Sequence, residues 1–389
     1  MATHPAITAT GIKQPLTITH VATRAPQGRE VQVRVEWIAS APLDVYQVDE
    51  GLMAQFPQCL GDSAAGTVVA VGPEVERLKV SDQVFGFFFH NAHEKGQQVY
   101  LTAPEHLFGK VQDTIPLHEA ATMPTNFCTA FYTLSDKLKL DLPWPRPASF
   151  TPKDAGIPIL IWGAGTSVAH YAVQILKHWG YTNIIATASL KHHHKLRQYG
   201  AKHTFDYRNP DVTKAVKECI GASGGRSIRV FDTVSSKVSS LLHISRIATK
   251  PGSIVAAVLP VVINGPSHPD GIKLSPDVAG EADWAVGIEV HPVVSYAYEE
   301  NANVVLHVQN PFLRDSLQPE TMATLLSKGI IEPNRARIVE GGFLLARAIK
   351  AMDIMRSGTV SGERLVWRVW TPEEFPEFAQ SVEQLHECY

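Results

Sequence analysis

The sequence predicts an α/β protein in which a doubly wound parallel sheet is joined to a separate β-rich domain. Between residues 157 and 258, short apolar runs alternate with helical patterns, as in sheets whose strands are linked by helices. Before residue 90, short runs rich in β-branched and aromatic residues are separated by Pro, Gly and Asp turns, which is typical of a small barrel or sandwich. The proline-rich segment 142–152 connects these parts, and 389 residues suffice for two or three domains.

The N-terminal part is predicted to be mostly strands followed by two helices. The four predicted strands are residues 16–21, 30–38, 66–71 and 83–89. Residues 116–140 change to a helical period and are expected to form the two helices that precede the connection.

The central segment, residues 157–207, predicts one strand-helix-strand unit. Residues 157–162 form a continuous apolar run that is too short for a helix, and residues 184–188 form a second one. Between them lies a turn, Gly163-Ala164-Gly165-Thr166-Ser167, followed by apolar residues at helical spacing that end at Gly180. Such a turn directs free backbone N–H groups at the N-terminus of the helix towards a phosphate.

The pattern continues to the C-terminus with one interruption. We expect helices at 211–220, 238–248, 319–329 and 343–356 and strands at 230–233, 253–258, 303–308 and 364–370, the last returning to the N-terminal β domain. Residues 263–300 are rich in Pro, Gly and Asp without clear periodicity and are expected to form a loop that is functional or mobile.

The residues after the second strand of the central unit indicate the cofactor. The turn has only two glycines of a dinucleotide fingerprint, since Val168 takes the third position, so an ordinary strand-helix turn stays open as an alternative. Residues 188–195 (ASLKHHHK) contain no carboxylate for a ribose 2′-hydroxyl but offer hydroxyl, ammonium and imidazole groups for a 2′-phosphate. The segment therefore predicts NADP(H), although the three histidines also fit a solvated basic helix start.

Composition excludes several other classes. The net charge of −3 argues against a nucleic-acid partner, and no apolar run is long enough to span a bilayer. Residues 1–15 lack the apolar core of a signal peptide. The four cysteines are far apart in the sequence and form no CxxC pair, which favours a reducing, cytoplasmic location.

The order of motifs resembles the medium-chain dehydrogenase/reductase superfamily and its zinc-free, quinone-oxidoreductase-like branch. The matching motifs are residues 60–72 (LGDSAAGTVVAVG), 80–86 (VSDQVFG), 119–124 (EAATMP), 341–342 (GG) and 357–366 (SGTVSGERLV). The resemblance implies a GroES-like, β-rich catalytic domain formed by residues 1–126 and 314–389. It also implies a Rossmann NADP(H)-binding domain formed by residues 127–313.

A narrower resemblance involves shorter motifs. Residues 142–145 (LPWP), 166–167 (TS), 188–189 (AS) and 205–208 (FDYR) are similar to those of fungal enoyl reductases that act in trans in polyketide pathways. This implies hydride transfer from NADPH to an α,β-unsaturated carbonyl, on a small molecule or on a carrier-bound chain, with a polyketide synthase as partner in the second case. A monomer and a homodimer are both compatible with the resemblance.

A zinc site is not expected. Where the zinc enzymes of the superfamily carry ligands, this chain has Ala39-Ser40-Ala41-Pro42-Leu43-Asp44 and Gly61-Asp62-Ser63, and the four-cysteine lobe is missing. The loop histidines His90, His93 and His106 are compatible with another site but are more typical of polar surface.

The resemblance implies the site residues. Thr129 corresponds to the family position near the nicotinamide, and a hydroxyl that merely bonds its own helix is the alternative. Asp44 and Tyr46 lie in a segment resembling the family pattern Asn-Pro-x-Asp, in which Ala41 replaces Asn and Tyr46 stands where lysine is common. Tyr46 would donate to the enolate oxygen or supply a proton, unless it only packs. The expected cofactor contacts are Gly163, Gly165, Thr166, Ser167, Val168, Ser189, Lys191, Tyr207, Thr129 and Leu259.

Three functions remain open from the sequence. The first is an NADPH-dependent enoyl reductase, or a quinone or small-molecule enone reductase, without a metal. The second is a non-catalytic NADPH-binding protein of the same fold. The third, a zinc alcohol dehydrogenase, is disfavoured because the zinc ligands are absent.

Overall fold

The computed structural model describes residues 2–265, 268–295 and 312–379. The described residues divide into two compact units, one formed by residues 2–125 and 312–379 and the other by residues 126–295. In the described part of the chain, no helix is both long and apolar enough to cross a bilayer.

The strands, in chain order, include ten in the first unit and eight in the second. They are β1 Thr3–Ala9, β2 Thr17–Ala22, β3 Glu30–Ala39, β4 Gln58–Cys59, β5 Ser63–Val71, β6 Gln83–Phe87, β7 Tyr100–Pro104, β8 Phe108–Lys110, β9 Ile159–Trp162, β10 Ile184–Thr187, β11 His203–Phe205, β12 Arg229–Asp232, β13 Ile254–Val258, β14 Val261–Asn264, β15 Lys273–Ser275, β16 Glu289–Val293, β17 Arg335–Ile338 and β18 Glu363–Arg368.

The α-helices range from 4 residues in α2 to 13 residues in α4 and α9. They are α1 Pro42–Glu50, α2 Leu117–Ala120, α3 Pro124–Tyr132, α4 Ser167–Trp179, α5 Leu190–Tyr199, α6 Val212–Ala222, α7 Leu242–Ile247, α8 Ala323–Ser327 and α9 Leu344–Arg356. Three π-helical stretches, Thr133–Lys137, Lys237–Leu241 and Leu313–Met322, adjoin α3, α7 and α8.

The first unit is a β-rich body built around the long strand β3. Its larger sheet has the order β17-β18-β3-β5-β6-β8, with β7 also paired to β3, and a second sheet has the order β2-β1-β4. Alternate residues of β3, Val31, Val33 and Val35, are buried in one apolar core. This alternation is the pattern of a half-buried antiparallel strand, so hydrophobic burial fixes the register of the sheet.

The second unit is an open parallel sheet with the order β11-β10-β9-β12-β13-β16. Trp162 at the end of β9 pairs with Thr187 of β10 and Asp232 of β12, and Thr187 pairs with Phe205 of β11. The carboxyl ends of these strands therefore lie at one edge, where ligands bind in sheets of this kind.

Most of the predicted elements are confirmed. The four N-terminal strands are β2, β3, β5 and β6, and the central strand-helix-strand unit is β9, α4 and β10. Gly180 ends α4 in the left-handed region with φ of 94°, as the C-cap pattern predicts. The predicted return strand is β18, which pairs antiparallel with β3.

The prediction that residues 263–300 form a loop is wrong where strands interrupt the described part of this segment. The strands β14 and β15 pair antiparallel as a separate two-stranded sheet. The strand β16 lies next to β13 and is the sixth strand of the parallel sheet. The sequence of β16, EVHPV, is polar and contains proline, which an edge strand tolerates and a pattern search rejects. The strand predicted at 303–308 lies outside the described residues.

The helix predicted at 319–329 differs at its start. The helical segment begins at the π-helical stretch Leu313–Met322, which contains Pro319, and α8 follows it to Ser327. Proline interrupts the hydrogen-bond pattern of a regular α-helix. The sequence therefore predicts a helix that starts at Pro319, whereas the helical segment begins before it.

Candidate functional site

The glycine turn after β9 is held tightly against the neighbouring strand β10. The backbone N–H of Ala164 donates to the carbonyl of Thr187 at 2.7 Å, and the N–H of Gly163 donates to the Thr187 hydroxyl at 3.2 Å. Gly163 has φ of 79°, and a Cβ there would lie 2.3 Å from Cγ2 of Val234. Glycine is therefore required both by the backbone conformation and by the close approach of the next strand end.

The N-terminus of α4 is organised by two threonines. Thr166 is the N-cap, and its Oγ1 accepts from the N–H of Ala169 at 3.2 Å and donates to Oγ1 of Thr233 at 2.9 Å. The Thr233 hydroxyl lies 2.9 Å from the carbonyl oxygen of Trp162 and 3.0 Å from that of Gly163. The Thr166 hydroxyl therefore fixes the turn, and its predicted contact with a phosphate stays a prediction. The start of the helix presents backbone N–H groups, which favour an anion.

Sequence reasoning missed Thr233. The available signal was its position as the last residue of the predicted strand 230–233, at the edge of the parallel sheet where ligands bind. Gly165, Ser167 and Val168 remain partly accessible, whereas the flanking residues Ala164 and Ala169 are buried. The predicted phosphate-contacting segment thus faces outward as a short accessible stretch.

The predicted 2′-phosphate residues collect at the same edge of the sheet. Ser189 is the N-cap of α5, and its side chain makes no hydrogen bond to its own helix. Lys191 is exposed in the first turn of α5, and Tyr207, two residues beyond β11, is 48% exposed. Because β10 and β11 are parallel and in register at Thr187 and Phe205, Ser189 and Tyr207 follow neighbouring strand ends.

A carboxylate does occur near this edge, at Asp206 after β11. Its two oxygens accept from the Arg208 guanidinium at 3.0 and 2.9 Å. These hydrogen bonds lower the pKa of Asp206. The end of β10, where an NAD enzyme would carry an acidic residue, has Ala188 and Ser189.

The three consecutive histidines of α5 have different surroundings. His192 lies over the glycine turn, because a Cβ on Gly165 would be 2.8 Å from its Cδ2 atom. His193 is buried, with Nε2 2.9 Å from the carbonyl oxygen of Ala188, and His194 is exposed beside Gln198. Only His192 is thus placed at the candidate phosphate site.

Leu259 and Thr129 are the remaining predicted cofactor contacts. Leu259 follows β13, and its N–H donates to the carbonyl of Val293 at 3.1 Å, which places it at the same strand edge. Thr129 is 4% exposed in α3, and its carbonyl accepts from the Thr133 hydroxyl at 2.7 Å. The assignment of both residues to the cofactor stays a prediction.

Asp44 and Tyr46 lie on α1 in the first unit. The Asp44 carboxylate accepts from the N–H of Ala41, the N-cap of α1, at 2.8 Å, and Asp44 is 2% exposed. Burial, and then the charge of Asp62, raises the pKa of Asp44 to about 7. Tyr46 is half-buried, and burial raises the pKa of its hydroxyl, which keeps it a hydrogen-bond donor at neutral pH.

The structure describes no metal centre. Within residues 2–265, 268–295 and 312–379, no group of three or more His, Cys, Asp or Glu side chains is arranged to hold a metal ion. His90 lies 3.4 Å from a carboxylate oxygen of Glu94, and His93 lies 2.9 Å from the Arg24 guanidinium.

The second unit fits a dinucleotide. The glycine turn admits close approach of a ligand to the backbone, and the helix behind it presents N–H groups of its first turn, so an anionic pyrophosphate matches this end of α4. The accessible hydroxyl and ammonium groups that follow β10 and β11 match a further phosphate on the ribose.

Comparisons with known proteins agree with this architecture. Residues 27–127 match the family model described as the alcohol dehydrogenase GroES-like domain. The trans-enoyl reductase tazE of Aspergillus terreus is 31% identical over 220 residues, which cover 54% of this chain and 70% of that relative. The chain belongs to the medium-chain dehydrogenase/reductase superfamily.

Other relatives in the superfamily carry similar names. The trans-enoyl reductase himH of Aspergillus japonicus is 35% identical over 188 residues, 47% of this chain and 53% of that protein. The enoyl reductase component lovC of lovastatin nonaketide synthase, from Aspergillus terreus, is 27% identical over 349 residues, 88% of this chain and 90% of that protein. The matched part of this chain thus spans about half of himH and most of lovC.

Solved structures of the superfamily share the fold. The CurK enoyl reductase superposes with a TM-score of 0.66 at 20% identity, covering 94% of this chain and 98% of that one. The quinone oxidoreductase of Coxiella burnetii gives a TM-score of 0.67 at 19% identity, with 95% and 100% coverage. The predicted combination of a GroES-like domain with a Rossmann parallel sheet is therefore confirmed.

Proposed function

We propose that the chain is an NADPH-dependent, metal-independent reductase that transfers hydride to the β-carbon of an α,β-unsaturated carbonyl. The observation that carries this proposal is the match to lovC, an enoyl reductase component of a polyketide synthase, over 88% of the chain. The shorter matches to himH and tazE, both named trans-enoyl reductases, support the same reaction. The substrate is then an enoyl compound of fungal secondary metabolism, with a polyketide synthase as partner if the substrate is carrier-bound.

The choice of NADPH over NADH rests on the end of β10. Hydroxyl and ammonium groups at Ser189 and Lys191 bind a 2′-phosphate, while a carboxylate at that point would repel it. Tyr207, after the adjacent strand, adds a phenolic donor. Bound NADPH supplies the hydride.

The chain's own residues bind, orient and stabilise charge in this proposal. Backbone N–H groups of Gly165, Ser167 and Val168 hold the pyrophosphate, whereas that of Thr166 donates to the carbonyl of Gly163 at 2.9 Å. Thr129 and Leu259 position the nicotinamide half. When hydride reaches the β-carbon, negative charge develops on the carbonyl oxygen, and a preorganised donor lowers the barrier. Tyr46 is assigned that role because its hydroxyl stays protonated at neutral pH, and Asp44 fixes the start of the same helix.

Turnover assays test the proposal against its alternatives. Purified protein treated with a strong chelator is mixed with NADPH and, in turn, with an enoyl thioester, a free enone and a quinone. We expect NADPH oxidation with the thioester or enone, and NADPH carrying deuterium at the hydride position should place deuterium at the β-carbon of the product.

Each other outcome selects a different function. Turnover with the quinone alone would identify a quinone reductase. NADPH binding without oxidation of any substrate would identify a non-catalytic binding protein and refute the proposal. Activity that disappears with chelator and returns with Zn²⁺ would overturn the metal-independent reaction.

A further inference from the structure

Four charged side chains are buried together in the first unit, at a point where four chain segments meet. They are Asp44, Asp62, Lys95 and Arg364, and we call them the buried charge cluster. Backbone hydrogen bonds join their segments in pairs: the N–H of Ser40 donates to the carbonyl of Leu365 at 3.0 Å, and the N–H of Gly96 donates to that of Gly61 at 2.9 Å. The pairing of Ile38 with Ala64 between β3 and β5 joins these two pairs of segments. The four residues are 2%, 5%, 9% and 5% exposed, respectively.

Such a cluster is not needed to fill a barrel core. The surrounding interior is apolar, with residues such as Val45, Leu60 and Leu365, and removing charges from water is unfavourable even when they are paired. Buried titratable groups with specific charged partners are concentrated at functional sites. A purely structural ion cluster is the alternative, and the two differ in whether removing a member changes the pH dependence of turnover.

Burial and mutual charge shift the pKa values of the two carboxyls and the ammonium of the cluster. Burial raises the pKa of both carboxyls, that of Asp44 to about 7, while burial lowers the pKa of the Lys95 ammonium. The positive charges of Lys95 and Arg364 act on both carboxyls. Groups that interact so strongly titrate as a unit, so that the proton belongs to the cluster rather than to one residue.

Two ionisable groups next to the cluster, Cys59 and Glu94, do not take part in its titration near neutral pH. Burial raises the pKa of the Cys59 thiol to about 12, which keeps it neutral. Burial alone would raise the pKa of Glu94, but hydrogen bonds with His90 and Asn91 lower it overall and keep it charged. Within the described residues, the electrostatic partners of Lys95 are Asp62, Cys59, Asp44 and Glu94.

Two polar groups extend from the cluster. The Thr125 hydroxyl donates to Oδ1 of Asp62 at 3.4 Å, and a hydroxyl can pass a proton on because it both donates and accepts. The side chain of Gln97 lies against Gly61, where an added Cβ would be 2.7 Å from its Cγ atom. Gln97 is 2% exposed, and its Oε1 accepts no hydrogen bond from the described residues, which marks a place for a donor such as water or a ligand hydroxyl.

We propose that the buried charge cluster is the proton source of the reduction, with the carboxyl pair of Asp44 and Asp62 delivering one proton through the Thr125 hydroxyl and with Lys95 and Arg364 acting as positioning residues. This inference rests on the proposed function. The Thr125 O–H bond breaks as the enolate electron pair forms a C–H bond with its proton at the α-carbon, and the acid O–H bond of the carboxyl pair breaks to return a proton to Oγ1 of Thr125. Solvent then reprotonates the cluster. Hydride and proton together complete the reduction of the double bond.

The experiment compares Asp62→Asn and Thr125→Val with Asp82→Asn. Asp82 is also a buried carboxylate of the first unit, 6% exposed, but it pairs with Lys110 at 2.6 Å, outside the cluster. For each protein, kcat is measured from pH 5 to 9 in H₂O and D₂O, with thermal unfolding as a check on folding. Infrared difference spectra of the wild type between acid and alkaline pH give a second readout, the carbonyl stretch of a protonated carboxyl.

We expect the wild-type kcat to show a pH inflection, and we expect Asp62→Asn to abolish it and to lower kcat by about 100-fold or more, as loss of a general acid does. Thr125→Val should lower kcat and raise the solvent isotope effect, because proton delivery becomes slower. Asp82→Asn should keep the wild-type pH profile. The wild-type infrared signal should titrate near neutral pH and be lost in Asp44→Asn.

Opposite outcomes separate the two claims. If folded Asp62→Asn and Thr125→Val keep the wild-type kcat, pH profile and isotope effect, the cluster is structural and the proton-source assignment is wrong, while the proposed function stands. If Asp62→Asn does not fold, Thr125→Val and the wild-type infrared titration decide. If the wild type oxidises no NADPH with any substrate, the proposed function fails and this assignment fails with it.

Discussion

Substitution of Gly165 by alanine tests whether the turn after β9 meets a phosphate. The added Cβ would lie 2.8 Å from Cδ2 and 3.2 Å from Nε2 of His192. These atoms are the far end of a side chain that can rotate, and Gly165 lacks the positive φ of Gly163. We therefore expect the free energy of unfolding to change by less than about 1 kcal/mol.

Cofactor binding should respond much more strongly than stability. A methyl group at Gly165 would stand between the backbone N–H groups and the pyrophosphate, and a hydrogen bond to a charged group contributes about 1.5–3 kcal/mol. Its loss corresponds to an increase in the Kd for NADPH of about 10- to 150-fold. The Kd is measured by fluorescence titration of NADPH, and thermal unfolding is followed in parallel.

Gly156→Ala is the matched control, because a Cβ at Gly156 has no neighbour within 4 Å. It should leave both the Kd and the melting temperature close to those of the wild type. An unchanged Kd for folded Gly165→Ala would refute the assignment of the turn to the pyrophosphate. A large loss of stability would show instead that His192 cannot move aside.

The remaining predictions concern three different features. Lys191→Ala should raise the KM for NADPH at least about tenfold with little change in kcat, as loss of ground-state binding does, and an unchanged KM in steady-state kinetics would remove Lys191 from the site. Gly163→Ala should destabilise the protein by about 1–3 kcal/mol in urea unfolding, because Gly163 has φ of 79° and an added Cβ would contact Val234. The control Gly221→Ala, where an added Cβ has no neighbour within 4 Å, should stabilise α6 by up to about 1 kcal/mol. Equal effects of the two substitutions would contradict the turn geometry. The pKa of Asp44 in the folded state, about 7, lies above its ordinary value of 3.8. Because the folded state binds more protons between these two values, the contribution of Asp44 to the free energy of unfolding falls as pH rises from about 4 to 7. In urea unfolding across this range, the free energy of unfolding should fall less steeply for Asp44→Asn than for the wild type, and an identical fall would contradict the raised pKa.

Elements with strong local patterns were predictable from the sequence. The β9-α4-β10 unit combines continuous apolar runs with a helical period and a C-terminal glycine, and each of these signals comes from residues adjacent in sequence. The strand β1, sequence THPAITA, was missed although six of its seven residues are buried. Its histidine, proline and threonines hide the apolar pattern, because His4 is buried through hydrogen bonds with Thr23 and Gln98 and not as an apolar side chain.

The candidate site was predictable only where it is local. The glycine turn and the residues after β10 follow directly from strand ends, and the structure places them at one edge of the sheet. The role of Thr233 in fixing the turn, and the contact of His192 with Gly165, depend on strand order and helix rotation, which a single sequence does not specify.

The buried charge cluster was beyond sequence reasoning for a different reason. Asp44, Asp62, Lys95 and Arg364 are separated by up to 320 positions in the chain, and each has the appearance of an ordinary charged surface residue until the sheet pairs are known. Only burial distinguishes them, and burial of a charged residue cannot be inferred from an apolar period.

Calorimetric titration with NADPH, compared with NADH, tests the central claim most directly. The second unit, with hydroxyl and ammonium groups after β10 and no acidic residue there, should bind one NADPH per chain at least about tenfold more tightly than NADH, a difference of about 1.4 kcal/mol. Absence of NADPH binding by the folded protein, or an equal or tighter affinity for NADH, would contradict the account.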